Sequence, residues 1–302
     1  MRASLLPALF TLASAVAALA QTPAPAPAQS AASAPAGSAA PLPAPTPIPD
    51  PPKPPALTAE QVGSLVVDIA TRKGATLRFL YLTVDEPKAA VVLLTGGHGG
   101  LQIKVDGSIG WGESNFLARS RVLLARYGLA VALIDAPSDR QSPPFLDGAR
   151  GSAEHLADVG AVIAWLRAKN SVPVWLIGTS RGTQSVGHFA TEVPREAGGA
   201  DGIVLASSIT YDPRGVALPW MALERIAVPA LLVHHKDDRC WSSPYEGAPA
   251  MMERLHGAPR RALITAEGGR NHGDPCGPFA YHGFNGLEAQ VVSAVAQWMV
   301  QP

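Results

Sequence analysis

Neither charge is in excess in this 302-residue chain: Lys and Arg number 24, and so do Asp and Glu. No basic run breaks that balance, which leaves out the electrostatic footprint that nucleic-acid binding requires. Beyond residue 20 no stretch is long and apolar enough to span a bilayer, so the mature chain is not expected to insert into a membrane. Cysteine is nearly missing. Cys240 and Cys276 are the only two, and without the close-spaced ligand pairs of a zinc site a metal centre with His272 or His282 is set aside. The reading calls for no metal and no cofactor.

What is there begins with a leader. Met1-Arg2 is a short positive start, LLPALFTLASAVAALA is apolar, and Ala18-Leu19-Ala20 is a small-x-small cleavage signal. Residues 1–20 therefore read as a signal peptide, and the mature chain as secreted or periplasmic. Residues 21–56 are nearly all Ala, Pro, Ser and Thr, with 13 prolines. That composition cannot bury a core and predicts an extended linker. In an oxidising compartment the two cysteines are expected to form one disulfide.

Residues 57–302 read as one domain. Apolar, β-branched runs at 64–70, 76–83, 89–95, 129–135, 172–178, 202–208, 228–235 and 260–266 predict strands. Helical spacing falls at 115–127, at 152–168 with Ser152 as a possible N-cap, from 181 onward, and at 286–300. Strands that are apolar throughout and alternate with helices imply a mostly parallel sheet covered on both faces. Ligands bind such sheets beyond the carboxyl ends of the strands. At those ends stand Gly96-Gly97-His98-Gly99-Gly100, then Ser180, then Asp237-Asp238, then His272 and His282. Ser180 lies in GTSRG, a G-x-S-x-G pattern. Glycine makes up 29 of the residues, so the bare pattern says little. Its place between a predicted strand and a predicted helix is what the serine elbow requires.

With glycine loop, Ser, Asp and His in that order, residues 64–302 resemble the α/β-hydrolase superfamily. The resemblance implies a central, mostly parallel sheet with helices on both faces. The short segment at 209–227 leaves little or no lid. It also implies a serine nucleophile, Ser180, whose proton passes to a histidine steadied by an aspartate. The N–H of Arg181 and one from Gly97 or His98 would hold the oxyanion. In hydrolases of this kind the acid strand ends in H-G-x-x-D. HHKDD then places the acid at Asp238, with Asp237 as the alternative and Asp212 a minor one. For the base, His282 is preferred to His272. A Cys240–Cys276 bridge would carry its loop to Asp238, and DPC…YHGF…G-x-E resembles a unit found in secreted bacterial hydrolases. The expected activity is hydrolysis of a small carboxylic ester, akin to dienelactone-hydrolase-type esterases. A peptidase or amidase on the same scaffold, or a binding protein without catalysis, are the rival readings.

Overall fold

The computed structural model describes residues 43–49 and 55–301. The expected signal peptide and most of the expected linker lie outside the described residues.

Among the described residues, nine strands form one sheet in the order β1-β9-β8-β7-β6-β4-β5-β3-β2. Their ranges are β1 Thr46–Pro47, β2 Gly63–Arg72, β3 Ala75–Thr83, β4 Ala89–Leu94, β5 Leu129–Ile134, β6 Val174–Thr179, β7 Gly202–Ala206, β8 Ala230–His235 and β9 Arg261–Ala266. Strands β4 to β9 and β1 pair in parallel, whereas β2 and β3 join antiparallel at one end. The α-helices of the described residues that cover the sheet are α1 Phe116–Arg126, α2 Ala153–Lys169, α3 Gly182–Glu192, α4 Gly247–Arg254 and α5 Glu288–Val300.

The apolar runs are continuous because both faces are buried. In β4, Ala90, Val92 and Leu94 join a core with Val162 and Leu166 of α2 and Val186 and Phe189 of α3. The alternate residues Val91 and Leu93 join a second core with Leu117 and Leu124 of α1 and Val291 and Val295 of α5. The period of two sends neighbours to opposite layers. Phe79 and Phe189 are fully buried in the first layer, and truncating either to alanine should cost about 3–5 kcal/mol.

Side chains fix the helix starts. Ser152 accepts the N–H of His155, and Asn115 accepts that of Leu117, each satisfying a donor that the first turn leaves open. Between β7 and β8 the chain makes two short 3-10 turns, at Leu218–Trp220 and Leu223–Arg225, so this segment carries no helical insertion of lid size.

The domain takes in more chain than residues 57–302. Thr46 and Pro47, within the expected linker, pair in parallel with Ile264 and Thr265 of β9, and Ile48 packs against the second core. No helix among the described residues is long and apolar enough to cross a membrane.

Candidate active site

Strand β6 ends at Thr179 and α3 begins at Gly182, which leaves Ser180 on the turn between them with φ +53°. A side chain in this left-handed region is uncommon and costs about 1–3 kcal/mol. Glycines permit the turn. A Cβ at Gly178 would lie 2.6 Å from the carbonyl oxygen of Gly182, and one at Gly182 would lie 1.9 Å from that of Leu94. No larger residue fits either place without moving backbone. The turn is held by Ser180 N–H donating to Ala206 O at 3.0 Å and by Thr183 N–H donating to Ser180 O at 2.9 Å.

The histidine loop and the acid loop meet beside it. His282 sits in a 3-10 turn, Tyr281–Gly283, just before α5. Its Nδ1 lies 2.9 Å from Asp238 Oδ2, and both side chains are buried. The other carboxylate oxygen of Asp238 accepts the N–H of Cys240 at 2.9 Å. Against an ionised carboxylate the imidazole proton sits on Nδ1, which leaves the lone pair on Nε2. That Nε2 is buried and has no hydrogen-bond partner. Ser243 Oγ lies 3.0 Å from the same Nδ1, and Ser207 Oγ donates to His282 O at 2.7 Å. Cys240 and Cys276 form a disulfide, which joins the acid loop to the histidine loop.

Ser180 and His282 line one cavity of about 270 Å³, together with Gly97, Trp111, Phe116 and Pro278. A cavity of about 310 Å³ between the 146–152 loop, α3 and the 212–216 loop contains neither of them.

The other candidates stand elsewhere. His272 is exposed, and its backbone N–H donates to Phe279 O. Asp237 is exposed, and its N–H donates to His235 Nδ1 at 3.1 Å. Asp212 is held by Arg181 at 3.0 Å. The Arg181 side chain is enclosed between Asp147, at 2.7 Å, and Asp212, so it is an internal ion pair and not a free cation for substrate. The N–H groups of Gly97, His98 and Arg181 meet no backbone carbonyl among the described residues.

The glycine loop after β4 is built by side chains from elsewhere. Asp135, at the end of β5, accepts from the N–H groups of Leu101, Gln102 and Ile103, at 2.6, 3.1 and 2.8 Å, and from that of Ala136 at 2.7 Å. The His98 ring is sandwiched between Trp111 and Phe145, with centroids 3.7 and 4.2 Å away. Burial lowers its pKa, so at neutral pH it serves as a neutral wall.

Two histidines end β8. His235 Nε2 bonds to Gly268 O at 2.9 Å, and its ring stacks on Tyr281 beside the His282 turn. His234 is fully buried, with neither ring nitrogen bonded, and burial lowers its pKa to about 4. Within α2, His155 meets Ser185 Oγ at 2.8 Å, and Asp158 takes Arg72 at 3.0 Å. Ser207, Ser243 and Arg150 gave no sequence signal, because only the folded loops bring them here. Among the described residues no three His, Cys, Asp or Glu side chains cluster to hold a metal.

No protein-family model matches the chain, and no curated protein sequence does. Solved structures do. A Pyrococcus furiosus esterase aligns with a TM-score of 0.58 at 16% identity, over 82% of this chain and 96% of that one. A cold-adapted esterase from an Arctic intertidal metagenomic library gives 0.53 at 17%, over 78% and 94%. An alpha-beta serine hydrolase homologue from Coxiella burnetii gives 0.50 at 15%, over 78% and 95%. The chain has the α/β-hydrolase fold.

Proposed function

We propose that this α/β-hydrolase chain is an exported serine hydrolase that cleaves small carboxylic esters through an acyl-enzyme, with Ser180 as nucleophile, His282 as base and Asp238 as acid. The observation that carries the reading is the buried Asp238–His282 pair. Its 2.9 Å bond at Nδ1 leaves Nε2 without a partner, and His282 lines the cavity that also holds the strained Ser180.

The steps follow from these groups. Ser180 Oγ attacks the ester carbonyl carbon, and its proton passes to His282 Nε2. Asp238 holds the imidazolium that forms. The N–H of Arg181 and that of Gly97 or His98 bind the oxyanion. His282 then protonates the leaving alkoxide, and the acyl group stays on Ser180. Water enters, gives a proton to Nε2 and adds its oxygen to the acyl carbon; the bond to Ser180 Oγ then breaks, His282 returns the proton to that oxygen, and the acid leaves. A cavity of about 270 Å³ suits short acyl groups. The predicted leader and the disulfide support export.

The test is hydrolysis of p-nitrophenyl acetate and butyrate by the mature protein and by Ser180→Ala, His282→Ala, Asp238→Asn and His272→Ala. The first two changes should lower kcat by several powers of ten, and His272→Ala should leave it within about threefold of the unmutated protein. An inactive His272→Ala beside an active His282→Ala would transfer the base to His272. A protein inactive on esters but active on amides would be the amidase. One that neither turns over nor reacts with a fluorophosphonate probe would be a binding protein.

A further inference from the structure

Arg150 is the side chain that the proposed chemistry does not use and the fold does not obviously need. It is buried, yet no carboxylate pairs with it among the described residues. The nearby Asp147 and Asp212 are engaged by Arg181. Burial lowers its pKa to about 10, which leaves it charged at neutral pH. A buried, unpaired charge is costly unless strong acceptors surround it.

The acceptors are informative. Nη2 donates to Thr95 O at 3.0 Å and to Gly97 O at 3.1 Å, on either side of Gly96. Nη1 donates to Ser185 Oγ at 2.9 Å. The same hydroxyl lies 2.8 Å from His155 Nε2. Burial holds the His155 pKa down at about 3, so that ring is neutral and adds no second charge beside the guanidinium. One guanidinium thus ties the glycine loop to α3. The loop carries one candidate oxyanion donor, and the turn into α3 carries Ser180 and the N–H of Arg181.

A trans peptide points its N–H opposite to its C=O. Drawing Gly97 O toward Arg150 therefore turns the N–H of His98 away from it, and drawing Thr95 O does the same for Gly96. The His98 carbonyl is held in turn by Leu146 N–H at 3.0 Å, from the loop that carries Arg150. A cation on a carbonyl also polarises the peptide and strengthens its N–H as a donor.

We propose that Arg150 is the positioning residue of the oxyanion site: it sets the peptide planes of the glycine loop relative to α3 and sharpens the donor that meets the developing negative charge. The proposal rests on the serine-hydrolase reading above. Its effect belongs to the transition state, so it acts on kcat and leaves KM nearly alone.

The test compares the unmutated protein with Arg150→Met, Arg150→Lys and Ser185→Ala, on p-nitrophenyl acetate and on its thiono analogue, in which sulfur replaces the carbonyl oxygen. Sulfur accepts hydrogen bonds weakly and gains little from aligned donors. Loss of one oxyanion donor costs about 10²–10³ in kcat, so misaligning one should cost about 10–10² in Arg150→Met on the oxygen ester. The thiono ester should lose much less, so the ratio of the two rates should narrow. Arg150→Lys should recover part of the loss, and Ser185→Ala should shift the ratio in the same direction by less. If Arg150→Met does not fold, these two variants decide the matter. A kcat within twofold of the unmutated value, or equal losses on both esters, overturns the proposal while the esterase reading stands. An unmutated protein silent toward both esters and toward a fluorophosphonate overturns both.

Discussion

Replacing Cys240 and Cys276 together with alanine should destabilise the domain far more than it impairs the Asp238–His282 pair. The bridge spans a sequence separation of 36. Cross-linking a loop of that length removes about 13 cal/mol/K of entropy from the unfolded chain, or about 4 kcal/mol at 25 °C. For a domain of this size each kcal/mol moves the thermal midpoint by about 2–4 °C, so a drop of about 8–15 °C is expected. The pair itself has independent holds. Asp238 accepts a backbone N–H from Cys240, which alanine keeps, and Ser207 fixes the His282 carbonyl. The kcat of the folded double variant should therefore fall by less than about tenfold. Urea unfolding followed by tryptophan fluorescence, with ester hydrolysis below the transition, reads both quantities. A stability change under about 1 kcal/mol would refute the loop-closure argument. A kcat loss beyond about a hundredfold in a folded protein would refute the independence of the pair.

Acid should unfold the protein steeply. His155 and His234 are buried, and burial lowers their pKa values to about 3 and about 4, whereas in the unfolded chain a histidine takes its proton near pH 6.5. Below that pH the unfolded state binds more protons, so stability is full above about pH 6.5 and falls as the pH drops, by about 1.4 kcal/mol per unit for each histidine. Urea midpoints from pH 7 to 4.5 should show that slope, and His155→Gln should flatten it; a flat profile in the unmutated protein would contradict the burial argument. Gly182→Ala should cost about 3 kcal/mol or prevent folding, because its Cβ would lie 1.9 Å from the Leu94 carbonyl oxygen. A thermal midpoint within a few degrees of the unmutated protein would mean that α3 can back away from β4.

The sheet was legible because strands buried on both faces read as unbroken apolar runs, and the serine turn because GTSRG stands where such a run stops. Helix α4 was not. It contains Gly247 and Pro249, which weaken any helical pattern, although proline in a first turn forfeits no bond. Strand β1 was hidden in a proline-rich stretch because its two residues owe their place to backbone pairing, which leaves no side-chain pattern. The choice between His272 and His282 stayed open because chain position does not say which loop folds back onto Asp238. The disulfide and the Ser207 bond decide which ring is buried there. Arg150 was illegible for a similar reason. Its burial depends on the path of the loop from 135 to 152, a segment with no periodicity to read.

The pairing of Thr46 and Pro47 with β9 has a practical consequence for handling the protein. It leaves Ile264 and Thr265 with a partner at one rim of the sheet. Proline 47 offers no N–H, so no further strand can extend the ladder through it. A version trimmed to begin at residue 57 would lose this cap and present an open row of β9 donors and acceptors to its own copies. Such a version should form edge-to-edge aggregates at concentrations where a version beginning near residue 43 stays dispersed, and light scattering of the two would separate them.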